Sequence, residues 1–105
     1  GSDFPVVGLE PMKEIYGAVF RMLEDGSNPE GWFPEERITM GDALRAYTYG
    51  SAYAMHAEDR IGTLACGKQA DICVLDRNLF DCEPAEVLEA TAALTMIAGK
   101  IIFEA

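Results

Sequence analysis

The first residues of the chain carry its strongest candidate for chemistry, the carboxylate of Asp3. The surrounding segment Gly1-Ser2-Asp3-Phe4-Pro5 is typical of a strand that runs into a loop and directs an acid into a site. A carboxylate in that position can bind a divalent cation or accept a proton. The sequence offers Asp3 few partners, because His56 is the single histidine and neither a chelating cysteine pair nor a glycine-rich phosphate loop accompanies it.

Composition and charge limit the classes of partner. The 105 residues allow one domain, and 50% hydrophobic with 25% charged residues is an ordinary globular composition. The net charge of −10 repels phosphate backbones and anionic lipids, so we expect neither nucleic acid nor membrane as a partner. No apolar run approaches the roughly 20 residues of a membrane span, and no signal peptide opens the chain. We therefore expect a cytoplasmic protein, although a segment from inside a longer protein would show no signal either.

The cysteines do not suggest a cross-linked or metal-bound scaffold. Cys66, Cys73 and Cys82 are odd in number and are spaced by seven and nine positions, which fits neither a disulfide framework nor a zinc knuckle. Free cysteines often behave as small buried hydrophobic residues. We expect that structural role for all three.

Apolar residues at three- and four-residue spacing predict a first helix over residues 11–24, with Gly26 as its left-handed stop. Residues 25–37 break the period and predict a long ordered loop. Trp32 and Phe33 lie in this loop, where they can either anchor the chain by packing or form the wall of a substrate pocket. Packing is the interpretation we favour.

A second helix is predicted to begin at Thr39, whose hydroxyl can cap it while Asp42 supplies the reciprocal half of a capping box. We expect Gly50 to interrupt this helix and residues 51–55 to form a further helical turn. His56 follows among charged residues, which indicates a role at the surface or at the helix end.

The pattern changes to β from Ile61 onward. Residues 62–64 form a short candidate strand, and residues 70–76 form a longer one in which four apolar residues are bracketed by acids. Lys68 and Asp71 are expected to serve the turn and the entry to this strand. Residues 84–90 suggest a helical turn.

A C-terminal hairpin is predicted from residues 94–97 and 100–103 around Ala98-Gly99. Alanine tolerates positive φ badly, so we expect a loop with Gly99 at a left-handed bulge position rather than a type I′ turn. The predicted fold is α+β, with two to three helices followed by at most three short strands. A sheet of this size is only marginally stable by itself. We therefore expect the chain to self-associate through strand edges or an apolar face.

A resemblance to a known family is carried by several short segments, which follow one another in the family's order: Gly1–Pro5, Thr39–Thr48, Glu58–Leu64, Gly67–Asp71, Val74–Asp76 and the hairpin at Gly99. Together they resemble the C-terminal end of the amidohydrolase superfamily. Within it, they are similar to the amidohydrolase-3 branch, which includes the YtcJ-like proteins and the N-substituted formamide deformylases. The resemblance extends over essentially all 105 residues.

The resemblance implies a parent protein with a metal-bearing (β/α)₈ barrel and a small β-sandwich built from both chain ends. Residues 1–57 would then be the end of the last barrel strand and the C-terminal barrel helices, and residues 58–105 would belong to the sandwich. It further implies that Asp3 holds or faces a divalent metal, expected to be zinc, and moves a proton from the attacking water to the leaving amine. The family's other metal ligands match nothing in this sequence.

The function implied is that of a C-terminal fragment of a metal-dependent hydrolase of amide or other C–N bonds. Its parent would act on a small amide-type substrate, and the fragment alone would bind no metal and be inert. Other interpretations remain. Asp3 can be a solvated terminal acid and Gly1-Ser2 the remnant of a tag, and the chain can instead be an autonomous acidic α+β module that binds a protein partner.

Overall fold

The computed structural model describes residues 2–105, so the Gly1 of the predicted Asp3 segment lies outside the described residues. The architecture is α+β, as the sequence predicts. Its four helices and three strands, in chain order, are α1 (Pro11–Phe20), α2 (Met40–Arg45), α3 (Ser51–Ala54), β1 (Ile72–Leu75), α4 (Pro84–Leu88), β2 (Ala92–Ile97) and β3 (Lys100–Glu104). No helix among these residues is both long enough and apolar enough to traverse a bilayer.

Helix α1 begins where the sequence predicts and ends four residues earlier. Pro11 occupies its first turn, where a missing N–H costs nothing. The left-handed residue that ends it is Arg21, at φ 55°, whose N–H donates to the Gly17 carbonyl. The predicted end at residue 24 with Gly26 as the stop was wrong, because Arg21 turns the chain away from the helix axis before Gly26 is reached.

The second helical segment starts with the predicted cap. The Asp42 N–H donates to Thr39 Oγ1 at 3.0 Å, and the Thr39 hydroxyl donates to Asp42 Oδ2 at 2.7 Å. The expectation that Gly50 interrupts the helix was wrong. Gly50 has helical angles, φ −60° and ψ −43°, and lies at the end of a widened π turn over Ala46–Gly50 that leads directly into α3.

The chain forms two compact units, and the first contains the residues up to Ala43 together with Leu79–Ala90. In it, α1 packs against α4. Ile15 and Val87 are its most deeply buried large side chains. Helix α4, predicted as a helical turn, begins with a capping box between Glu83 and Glu86.

The second unit contains Leu44–Asn78 and Thr91–Ala105. Its sheet is antiparallel with the order β1-β2-β3. The short strand expected at residues 62–64 was wrong, because this segment bends past α3. A Cβ on Gly62 would lie 2.7 Å from the Ala52 Cβ, and Gly62 has φ +90°. Glycine is therefore required there for a close approach to the helix.

The turn between β2 and β3 differs from the predicted one. Ala98 and Gly99 both have positive φ, 50° and 80°, which is the type I′ pattern that alanine disfavours. Two bonds hold it in place: the Ala98 N–H donates to Asp71 Oδ1 at 2.8 Å, and the Gly99 N–H donates to the Ala70 carbonyl at 3.0 Å. The prediction of a left-handed bulge at Gly99 was wrong, because it considered only the local sequence. The acceptors that hold Ala98 at positive φ come from residues distant in sequence.

Replacing Ala98 by glycine should stabilise the hairpin. The left-handed conformation costs a residue with a Cβ about 1–2 kcal/mol, whereas glycine costs about 0.5–1 kcal/mol through the freedom of the unfolded chain. We expect Ala98→Gly to raise the free energy of unfolding by about 0.5–1 kcal/mol, measured by urea unfolding. The control Ala92→Gly, inside β2, should lower it. Equal destabilisation by both variants would contradict the assigned turn.

Candidate functional site

Asp3 lies in an exposed turn. The Val6 N–H donates to the Asp3 carbonyl at 2.9 Å, and Asp3 itself has φ 50°. Aspartate is one of the few residues other than glycine that adopt this left-handed conformation readily. The backbone therefore presents the carboxylate at the surface, where a ligand from elsewhere can reach it.

The described residues do not complete a metal site around Asp3. Within residues 2–105, no group of three or more His, Cys, Asp or Glu side chains is placed to hold an ion. His56 is exposed and follows α3 with φ 54°, as the helix-end prediction states. The Asp3 carboxylate fits a divalent ion as a single oxygen donor, and any further ligands would come from outside this part of the chain.

Asp71 uses its carboxylate to hold structure. Besides Ala98, it accepts bonds from Gln69 Nε2 at 2.9 and 3.0 Å. The hydrogen bond from the Ala98 N–H lowers the pKa of Asp71 most, and the bond from the Gln69 side chain lowers it further. Nearby, Lys68 Nζ donates to the Glu58 carbonyl at 2.6 Å. Both residues thus serve the turn and the strand entry, as the sequence predicts.

Asp76 plays the corresponding role at the other end of β1. Its carboxylate accepts bonds from Arg77 Nε and Nη2 at 3.1 and 3.0 Å, and from the Thr91 N–H at 3.1 Å. The Arg77 bonds first, and then the Thr91 N–H, lower the pKa of Asp76 from 3.8 to about 2. Asp76 is consequently a structural acid that ties the end of β1 to the start of β2.

The predicted anchoring role of Trp32 and Phe33 was wrong, because the two residues are 70% and 52% exposed. Their rings lie 5.2 Å apart and contact each other. Arginines anchor the loop instead: Arg37 Nε donates to the Phe20 carbonyl at 3.0 Å, and Arg21 Nε donates to the Trp32 carbonyl at 2.6 Å. The signal available in the sequence was the pair of arginines, Arg21 before the loop and Arg37 at its end.

Each unit contains a cavity. The second unit holds a volume of about 680 Å³, whose apolar lining includes Met55, Leu64, Ile72 and Cys73. The first unit holds one of about 270 Å³, between the end of α1 and Trp32. Neither cavity is lined by Asp3.

The cysteine prediction was correct in part. All three cysteines are free, which agrees with the expected lack of a disulfide framework. Cys66 and Cys73 are exposed and only Cys82 is half-buried, so the expectation of buried thiols was wrong. Cys73 lies on a strand whose sheet has little cover, which the local sequence does not reveal.

Comparison with known proteins identifies the class. A model of the amidohydrolase family matches residues 1–103. The putative amidohydrolase YtcJ of Bacillus subtilis is 32% identical over 104 residues, which are 99% of this chain and 20% of that protein. N-substituted formamide deformylase of Arthrobacter pascens is 33% identical over 103 residues, 98% of this chain and 18% of that protein.

A solved structure agrees at the level of the fold. The crystal structure of an amidohydrolase from Thermotoga maritima superposes with a TM-score of 0.61 at 23% identity, covering 98% of this chain and 22% of that one. The chain belongs to the amidohydrolase family, as the sequence segments indicate. It spans about a fifth of the length of the curated relatives described above. These matches lend no support to an autonomous interaction module.

The bonds to Asp76 predict an acid-sensitive contribution to stability. Because the folded pKa lies below the unfolded value, the contribution is complete above pH 3.8 and is lost as the pH falls through about 2. We expect Asp76→Asn to lower the free energy of unfolding at neutral pH. The variant should also lose less stability than the wild type between pH 3.8 and about pH 2, measured by urea midpoints from pH 5 to pH 2. The exposed-acid variant Asp59→Asn serves as control and should retain the decline. An unchanged acid decline in Asp76→Asn would contradict the assignment.

Proposed function

We propose that the chain is the C-terminal segment of a metal-dependent amidohydrolase that cleaves amide or other C–N bonds in small molecules. The family match over residues 1–103 is the observation that carries this proposal. The Arthrobacter pascens relative, by its name, removes formyl groups from N-substituted formamides. That name supports an amide-type substrate.

Asp3 is the residue we assign to catalysis and to the metal. Its carboxylate would accept a proton from the water that adds to the amide carbonyl, and would return it to nitrogen as the C–N bond breaks, which yields an acid and an amine. A bound divalent ion, zinc in our proposal, supplies the Lewis acidity that such hydrolysis needs. The exposed position of Asp3 in a left-handed turn supports this role.

The remaining residues would provide support. We assign residues 1–57 to the end of a (β/α)₈ barrel and residues 58–105 to a composite β-sandwich. All three strands lie in the second of these segments. Because β1 and β3 are both edge strands and Ile102 and Phe103 are 56% and 48% exposed, this sheet could be completed by strands from elsewhere in the parent. The parent would be cytoplasmic, and the net charge of −10 on this segment disfavours nucleic acid and membranes as its partners. The isolated segment would be inert.

The catalytic assignment is tested by Asp3→Asn in the full-length protein that contains this segment. Asparagine keeps the shape of aspartate and cannot accept the proton, so we expect kcat to fall by about 10²–10⁴-fold. The assay follows amine release from a panel of N-substituted formamides, with metal content measured in parallel. Asp59→Asn is the matched control and should keep full activity. Wild-type hydrolysis by Asp3→Asn with metal bound would refute the role.

The uncovered sheet predicts that the isolated 105-residue chain self-associates. Exposed apolar sheet surface favours burial against a second copy. We expect concentration-dependent mass in sedimentation equilibrium and a lower association constant for Ile102→Lys. Glu36→Gln makes the same change in net charge outside the sheet and should have no effect. A compact, stable monomer at all concentrations would contradict this prediction.

A further inference from the structure

The 270 Å³ cavity of the first unit is lined in part by Gly17. Gly17 lies within α1, where glycine weakens a helix relative to alanine. Nothing in its surroundings requires glycine: a Cβ there would meet no atom within 4 Å beyond the helix's own backbone. The absence of a side chain leaves open space beside this position, and Gly17 lines the cavity.

The walls of the cavity are held in place by hydrogen bonds. The Trp32 N–H donates to the Arg21 carbonyl at 2.7 Å, and Arg21 Nε donates to the Trp32 carbonyl at 2.6 Å. The side chain of Asn28 bonds to the backbone of both Leu23 and Arg21. Arg21 also keeps a left-handed φ of 55°, which is unfavourable for arginine. A residue held in such a conformation by its surroundings is often part of a binding site.

The cavity combines an aromatic face with an available cation. Trp32 is 70% exposed and lines the cavity beside Met22 and Leu23. Arg21 uses Nε for the Trp32 carbonyl and forms no ion pair with any residue between 2 and 105. An arginine that has no acidic partner among the described residues and lies beside an aromatic ring is suited to an external carboxylate.

We propose that this cavity binds a small aromatic carboxylate. The ring of the ligand lies against Trp32 and over Gly17, and its carboxylate accepts hydrogen bonds from the terminal nitrogens of Arg21. The size agrees, since a cavity of about 150 Å³ holds benzene and this one, at about 270 Å³, has room for a ring with a short acidic substituent. The site does not involve Asp3 and goes beyond the proposed hydrolysis.

The experiment is a titration of the 105-residue chain with phenylacetate, followed by tryptophan fluorescence. Trp32 is the single tryptophan, so its emission reports on this cavity. We expect a saturable change in emission, and at least about tenfold weaker binding of the neutral analogue phenylacetamide, since the charged hydrogen bonds are lost. This comparison uses the unmodified chain and does not depend on whether a variant folds.

Two variants at Gly17 test the location. Gly17→Met fills the space and should weaken phenylacetate binding at least about tenfold, whereas Gly17→Ala, the matched control, should retain binding because it adds a single methyl group. Circular dichroism confirms that both are folded. The proposal is overturned by an unsaturable response, by equal binding of phenylacetamide, or by undiminished binding to Gly17→Met.

A further outcome identifies a different occupant. If phenylacetate has no effect while Gly17→Met reduces self-association in sedimentation, a second copy of the chain fills the cavity and the proposal is wrong. Because every measurement here reads binding and none reads hydrolysis, a negative result leaves the proposed function of Asp3 intact.

Discussion

The pairing of β1 with β2 is fastened at both ends by an aspartate, and the rest of the sheet depends on these bonds. Asp71 comes directly before β1 and accepts the N–H of Ala98, the residue after β2. Asp76 comes directly after β1 and accepts the N–H of Thr91, the residue before β2. Ionised acceptors make stronger hydrogen bonds than neutral ones. The two acids therefore fix the register of the pair, and Asp71 also holds the turn that starts β3.

Polar bonds have this importance because the second unit buries few large side chains. Its buried hydrophobic residues are Ala52 and Ala57, and so small a side chain contributes little hydrophobic stabilisation. The first unit differs, since Ile15, Tyr16 and Val87 form a conventional core. The chain spans about a fifth of the length of its relatives. Its first unit has a hydrophobic core, whereas its second unit is held by backbone and aspartate hydrogen bonds and keeps its apolar sheet surface exposed.

Local signals predicted the elements, whereas the errors arose where distant residues decide the conformation. The cap at Thr39, the start of α1 and the hairpin follow from neighbours in sequence. The turn at Ala98 does not, because its acceptor on Asp71 lies 27 positions away. The early end of α1 similarly depends on the bonds between Arg21 and Trp32. For the candidate site, the sequence identified Asp3 through its local segment and a family resemblance, but it gave no sign that Gly17 and Trp32 line one cavity.

The contact between Gly62 and Ala52 has a consequence for how this protein can vary. Since a Cβ at one position would stand 2.7 Å from the Cβ at the other, the smallest side chains available are already in use. Neither position can enlarge unless the bend moves off the helix. The residue at position 62 therefore limits which side chains fit at position 52. Related sequences should keep small residues at both positions or change both together.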